Sequence, residues 1–241
     1  MQSNLYVALS AQIALEKRMT TIATNVANLN TVGYRADHVS FESVISRTTD
    51  KPVAFSSTGN TYISRLGGAM VKTDNPLDVA VQGDGWLAIQ TPRGAAYTRD
   101  GRMQMKDTGE LVTLNGYPIL DAGNAGLVLD PNGGPPAIAH DGMVTQNGRQ
   151  VGALGLFTID DNATLARFDN SAVVPDRPAN PTLDFSSNGI VQGFVEGANV
   201  NPVLEMTRLI MVTRTFDSVS NAIETSEASL QDAIKTLGSN A

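Results

Sequence analysis

The stretch from Asn201 to Gly238, NPVLEMTRLIMVTRTFDSVSNAIETSEASLQDAIKTLG, repeats its apolar residues every seven positions. One row holds Leu209, Phe216, Ile223, Leu230 and Leu237, and the other holds Val212, Val219, Ser226 and Ala233. Rows offset by three and four positions form one stripe along an α-helix. Asn201-Pro202 suits the helix start, because proline lacks an N–H that the first turn would leave without a partner. Glu205 puts a negative charge near that start, where the helix dipole favours it. Gly238 stands just past the end. The stretch predicts a single helix of ~50 Å.

The other end of the chain mirrors this pattern. Leu5, Ala8, Gln12, Leu15, Met19, Ile22, Val26 and Leu29 follow at spacings of three and four, and only Gln12 breaks the apolar row. Gly33 lies just beyond, where a left-handed stop is commonly placed. Asn25, Asn28 and Asn30 weaken the last turns. Between the helices, residues 46–199 hold most of the glycine and proline. Asn-Gly occurs at 115–116, 132–133, 147–148 and 188–189, and Asp-Gly at 84–85, 100–101 and 141–142. These dipeptides tolerate the positive φ of tight hairpin turns. Gly101 and Gly116 are expected in that conformation, and Gly83-Asp84-Gly85 is read as a hairpin turn. Short apolar runs between them (77–81, 86–89, 111–114 and 155–159) read as strands, with Trp86 as a core residue. The fold class is α+β: long N- and C-terminal coiled-coil helices flank an inserted, hairpin-rich all-β domain. The expected boundaries are 1–45 for the N-terminal helix, 46–75 for an extended connector, 76–199 for the β domain and 200–241 for the C-terminal helix.

Composition narrows the function. The chain has 241 residues and a net charge of −7, which disfavours nucleic acid as a partner. It has no cysteine, so disulfides, thiolate metal sites and thiol catalysis are excluded. His38 and His140 are its only histidines, which leaves no multi-histidine metal site. Asp160-Asp161-Asn162 resembles a piece of a calcium loop but lacks the glycine and the final acidic ligand. No Gly-x-Ser-x-Gly elbow occurs. No catalytic residue, cofactor, metal or small-molecule substrate is expected. No apolar run is long enough to span a membrane. Lys17 and Arg18 follow the first apolar residues rather than preceding them, so no cleaved secretory signal is expected.

Four ordered blocks carry a resemblance. Ala23-Thr24-Asn25-Val26-Ala27-Asn28-Leu29-Asn30-Thr31-Val32-Gly33-Tyr34-Arg35 resembles the N-terminal signature of flagellar axial proteins, with Thr24 and Val26 departing from it. Leu77-Asp78-Val79-Ala80-Val81-Gln82-Gly83-Asp84-Gly85-Trp86 is similar to the central block of that family, with Trp86 in place of phenylalanine. Tyr97-Thr98-Arg99-Asp100-Gly101 and Gly109-Glu110-Leu111-Val112-Thr113 continue it. Gly193 to Met206 resembles the C-terminal signature, with Asn199, Asn201, Pro202 and Glu205 matching and Ala198 in place of serine. The resemblance is to the rod subunits of the bacterial flagellar basal body, most of all to the proximal rod, with the distal rod as the alternative.

The resemblance implies a structural subunit that is exported by the flagellar type III apparatus without signal cleavage. It implies assembly with copies of itself and other rod subunits into a periplasm-spanning helical tube that transmits torque. The terminal helices would form the inner layer of that tube and the β domain the outer one. A helix with one apolar stripe cannot bury it alone. The stripes must meet each other, copies of themselves or partner chains. Leu5, Leu15, Met19, Ile22 and Val26, with Leu209, Phe216, Ile223, Leu230 and Leu237, are the expected subunit contacts. The rivals from other classes are a wall-cleaving glycosidase, for which no acidic pair stands out, and an exported adhesin.

Overall fold

In the computed structural model, which describes residues 2–46, 53–57 and 59–238, the first helix, α1, runs Gln2–Ala27 and the last, α2, runs Pro202–Gly238. The expected helix over 1–45 therefore stops at Ala27. The asparagines end it: Thr31 N–H donates to the Asn28 carbonyl at 3.1 Å, and its hydroxyl donates to Asn28 Oδ1 at 3.0 Å. A side chain that satisfies its own turn in this way competes with helix continuation. Beyond the turn, Asp37–Ser40 and Ser43–Ser46 are strands, rich in the β-branched residues Val39, Val44 and Ile45. The side chains of Leu230 and Leu237 lie outside the described residues.

The chain forms two units and passes between them four times. The first holds α1, residues 37–62 and the chain from Asn201 onward. Here α1 and α2 run antiparallel. Asn25 Nδ2 donates to Glu205 Oε2 at 3.4 Å, Thr213 Oγ1 donates to Met19 Sδ at 3.8 Å, and Gln12 Nε2 donates to Ser220 Oγ at 3.5 Å. The two apolar stripes thus meet within one chain. Ala14 and Ile22 on α1 and Val212 on α2 are buried, and Leu5, Leu15, Met19, Val26, Leu209, Phe216 and Ile223 are half-buried. Ser43–Ser46 and Val53–Ser56 pair as a ribbon packed along α1, where Ser56 N–H donates to Ser10 Oγ at 3.3 Å. Lys17 Nζ donates to the Gly59 carbonyl at 2.6 Å.

The second unit comprises residues 28–36 and 63–200. Its centre is a six-stranded antiparallel sheet in the order Leu165–Phe168, Ala172–Pro175, Gly94–Thr98, Trp86–Thr91, Leu156–Thr158, Asn180–Pro181. Trp86–Thr91 is covered on both faces, which explains its continuous apolar run. Leu87 and Ile89 join one core with Val79, Leu111, Ile119 and Ile190, and Trp86 and Ala88 join another with Tyr97, Phe157 and Val173.

The turn dipeptides divide by geometry. Asn147-Gly148 has φ of 51° and 72° and closes the hairpin Met143–Gln146 with Arg149–Ala153. Gly142 and Gly116 also have positive φ in turns that reverse the chain, bonding back to Ala139 and Thr113. Gly83-Asp84-Gly85 is not a hairpin turn. The strand before it, Val79–Gln82, pairs with Gly189–Gln192, while Trp86–Thr91 pairs with Gly94–Thr98, so this segment carries the chain from one sheet to another. Nor does Gly101 take up positive φ. It is glycine because the backbone passes so close that a Cβ would lie 1.8 Å from the Val79 carbonyl oxygen.

Both glycines yield a testable expectation by different routes. Gly116→Val places a β-branched residue at φ 84° in open space, a strain of about 1–3 kcal/mol. Gly101→Val forces the strand Val79–Gln82 off its neighbour, an overpacking loss also of about 1–3 kcal/mol. Chemical denaturation of each full-length variant should show a lower midpoint. An unchanged midpoint for Gly101→Val would mean that the contact with Val79 yields without resistance.

Candidate functional site

In the second unit, three segments far apart in sequence converge on one carboxylate. Arg35 Nη2 lies 2.8 Å from Glu196 Oε1, and Arg99 Nη1 lies 3.1 Å from Glu196 Oε2. The three side chains are no more than 3% exposed. Two guanidiniums against one carboxylate leave an excess positive charge, which the surroundings absorb. Arg99 donates to the carbonyls of Val81 at 3.1 Å and Gly83 at 2.6 Å, and Arg35 donates to that of Arg65 at 3.1 Å. Both guanidiniums stack on Trp86, 5.2 Å and 5.6 Å from its ring, where the π face attracts a cation. Glu196 Oε1 also accepts the Gly68 N–H at 2.8 Å. The Nε atoms of both arginines are buried without a hydrogen-bond partner.

Burial pushes the Arg35 guanidinium down to about 10, while Glu196 pulls it back up. Arg99 is lowered by burial in the same way. Unfolded, these groups hold their protons to higher pH. The Arg35 contribution to stability therefore rises as pH climbs past about 10, and below that its guanidinium is charged in the folded chain as in the unfolded one. The arrangement has the character of a structural clasp rather than a reactive centre.

The family-motif residues occupy the turns that serve this clasp and the helix starts. Gly33 (φ 69°) donates its N–H to the Glu196 carbonyl at 2.7 Å, and a Cβ there would lie 2.2 Å from Asp100 N. Tyr34 is fully buried, with Arg167 stacked 4.4 Å from its ring. Asn199 Oδ1 accepts the Ala36 N–H at 2.7 Å, and its Nδ2 donates to the Leu66 carbonyl at 2.8 Å. Asp84 N–H donates to Asn188 Oδ1 at 2.8 Å, Gly83 has φ 78°, and Gly85 is buried. Asn28 and Asn30 stand in the turn after α1.

In the first unit, Asn25 grips one residue twice, accepting the Asp37 N–H and donating to the Asp37 carbonyl, both at 2.9 Å. Glu205, buried beside it, accepts from Arg208 at 2.6 Å. Asn201 caps α2 by accepting the Leu204 N–H at 3.1 Å, with Pro202 as its first residue.

The remaining sequence candidates resolve into packing. The Asp160-Asp161-Asn162 loop already holds a cation. Arg65 donates to the carbonyls of Ile159, Asp160 and Ala163 at 2.7–3.1 Å. His38 packs its ring 5.4 Å from Tyr62, and His140 lies against Gly189. Among the described residues, no group of three or more His, Asp or Glu is placed to hold a metal ion, and no helix is long and apolar enough to cross a membrane. Sequence reasoning missed the roles of Arg35, Arg99 and Glu196. All three lie inside the quoted blocks, but no spacing rule links positions so distant.

Comparison with known proteins extends over the whole chain. Residues 5–35 match the family model described as flagella basal body rod protein. Residues 80–193 match the flagellar hook protein FlgE/F/G D1 domain, and residues 191–236 match the flagellar basal body rod FlgEFG protein C-terminal region. The chain is 53% identical over 239 residues to the flagellar basal-body rod protein FlgF of Mesorhizobium japonicum, covering 99% of both chains. It is 48% identical to FlgF of Rhizobium meliloti, again over 99% of each. Against the rod protein FlgG of Bacillus subtilis it is 30% identical, covering 97% of this chain and 98% of the other.

Removing the central carboxylate should show what the clasp is worth. Glu196→Gln keeps the shape and leaves two buried guanidiniums without a counter-charge, a loss of about 3–5 kcal/mol. Urea denaturation of the full-length chain measures it, and a loss within experimental error would show that the carbonyls and Trp86 suffice to hold both arginines.

Proposed function

Because the chain belongs to the flagellar basal-body rod protein family, we propose a specific place and mode of work for it: a proximal-rod subunit whose paired terminal helices pack in coiled-coil fashion in the inner layer of the tube. It is a structural protein of the basal-body rod and not an enzyme. The observation that carries the finer reading is the pairing of α1 and α2 across the whole length of the chain, with the β unit inserted between them. Polymer-forming helices thus come from both termini and present one antiparallel pair.

A torque-bearing subunit needs elements that resist shear. The clasp at Glu196 and the double grip of Asn25 on Asp37 supply fixed points in each unit, because buried charge-assisted and amide bonds have defined directions. Neighbouring subunits would be copies of this chain and other rod proteins. Passage to the rod would run through the flagellar type III export apparatus, without signal cleavage. Leu5, Leu15, Met19, Ile22 and Val26, with Leu209, Phe216, Ile223, Leu230 and Leu237, would be contacts with neighbouring subunits in the assembled rod.

The test is replacement of the native gene by variants in a flagellated host. Wild-type chain should be found in purified basal bodies, and its deletion should leave non-motile cells that lack a completed rod. Val212 is 4% exposed. Val212→Asp would bury a carboxylate where the cation one turn away, Arg208, is already held by Glu205, a loss of several kcal/mol. Circular dichroism should show reduced helix while the β unit stays folded, and motility should be lost. Motile Val212→Asp cells with unchanged helix content would remove the helix pair from the function.

A further inference from the structure

The helix pair has two kinds of apolar surface. The heptad rows meet between α1 and α2. A different set points outward: Tyr6, Leu9 and Ile13 on α1, and Val203, Met206, Ile210 and Met211 on α2, all between 47% and 74% exposed. Tyr6, Leu9, Ile13 and Val203, Met206, Ile210 have the same spacing, i, i+3, i+7, so each triplet makes one ridge on its helix. The antiparallel register separates the ridges. Val203 to Ile210 lies beside the C-terminal end of α1, near Asn25 and Met19. Tyr6 to Ile13 lies beside the second half of α2, near Ser220.

Charge separates in the same way. The half that carries the α2 ridge, α1 from Glu16 onward with α2 as far as Thr215, holds Lys17, Arg18, Arg208 and Arg214 against Glu16 and Glu205, a net +2. The half that carries the α1 ridge, α1 before Glu16 with α2 from Phe216 to Gln231, holds Asp217, Glu224 and Glu227 and no cation, a net −3. Arg18, Arg214, Asp217, Glu224 and Glu227 are exposed. Each end of the pair thus presents an apolar ridge within a half of one net sign, and the two net signs are opposite.

We propose that the outward ridge Tyr6, Leu9, Ile13 of one copy seats against the outward ridge Val203, Met206, Ile210 of a second copy, steered by the acidic and basic halves of the helix pair. This rests on the rod-subunit reading and adds the partner surfaces and their polarity. A contact between two different patches of the same chain is head-to-tail, so it does not close on itself as a two-fold dimer does, and it propagates. Two acidic halves or two basic halves repel, which selects the staggered overlap over a symmetric one. The heptad seam is partly covered within the chain, and the ridges offer a neighbouring copy a further, exposed surface.

The chain contains no cysteine, so engineered thiols report only the designed contact. Within one chain, Leu9 and Met206 are separated by about 24 Å along the pair, as Met206 follows Glu205, the partner of Asn25, at ~1.5 Å per residue. In basal bodies from cells carrying Leu9→Cys with Met206→Cys, mild oxidation should give a ladder of covalent multimers of this chain, and each single variant should stay monomeric. No cross-link in assembled basal bodies, or a cross-link only to a different protein, overturns the proposal. A second measurement stands apart from the rod. In light scattering of purified full-length chain, Glu224→Lys with Glu227→Lys, and separately Arg18→Glu with Arg214→Glu, should each weaken self-association about tenfold, and an equimolar mixture of the two should restore it. Raised salt should weaken wild-type association. Charge-reversed chains that associate like wild type, or a mixture that stays dissociated, overturn the proposal even when wild-type chain is present in basal bodies. Absence of wild-type chain from basal bodies would instead overturn the rod reading.

Discussion

The bond that the β unit depends on most is the fork of Glu196 across Arg35 and Arg99. It joins the segment after α1, the loop after the central strand Gly94–Thr98 and the last strand before α2, so the two passages of the chain through this unit are tied together. Neighbouring features follow from the need to keep that site dry and aligned. Trp86 lies under both guanidiniums. Gly33 has no room for a side chain where it meets Asp100. Tyr34 is buried beneath Arg167. An ion cluster with surplus charge is a poor source of net stability, because desolvation offsets most of the attraction. Its value is directional: an apolar core of equal volume would hold these segments together without fixing how they cross.

The helices were legible because their signal is local and periodic. Pro202, Asn201 and Gly238 mark the bounds of α2 within a residue or so, and the heptad rows identify its buried side through Val212. The end of α1 was harder to place. Apolar residues continue to Leu29 and the β-branched Val32 and Val39 follow, so the pattern fades gradually. The actual stop is set by Asn28 and Thr31 bonding to each other, a side-chain preference that competes with periodicity. The ribbon of Ser43–Ser46 with Val53–Ser56 straddles the expected end of the N-terminal helix at 45 and the extended connector, because its strands carry too few apolar positions to announce themselves.

The β unit shows where turn chemistry informs and where it misleads. Asn147-Gly148 and Asp141-Gly142 close hairpins as their composition suggests. Asp84-Gly85 and Asp100-Gly101 have the same letters and do another job, because the strands they join pair with others elsewhere in the chain. The hairpin between Trp86–Thr91 and Gly94–Thr98 turns at Pro92-Arg93, which lacks the usual dipeptide altogether. A turn motif specifies local backbone, and strand partners are chosen by the core. The candidate site illustrates the same limit: its blocks were recognisable, and the ionic contact among residues 35, 99 and 196 was not.

The pairing of α1 with α2 joins the two ends of the described chain, in the part proposed to meet neighbouring subunits. Gln12 and Ser220, which bond across the pair, are 208 positions apart. Closing so wide a loop is slow and unfavourable until the rest of the chain is in place. A chain that emerges N-terminus first therefore offers α1 no partner until the final residues are out. Any molecule cut short before Asn201 has no second helix at all, so on the proposed mode of assembly a truncated product has no helix pair to offer the growing structure. The inserted arrangement makes completeness of synthesis a condition for forming the helix pair, a check written into the order of the elements along the chain.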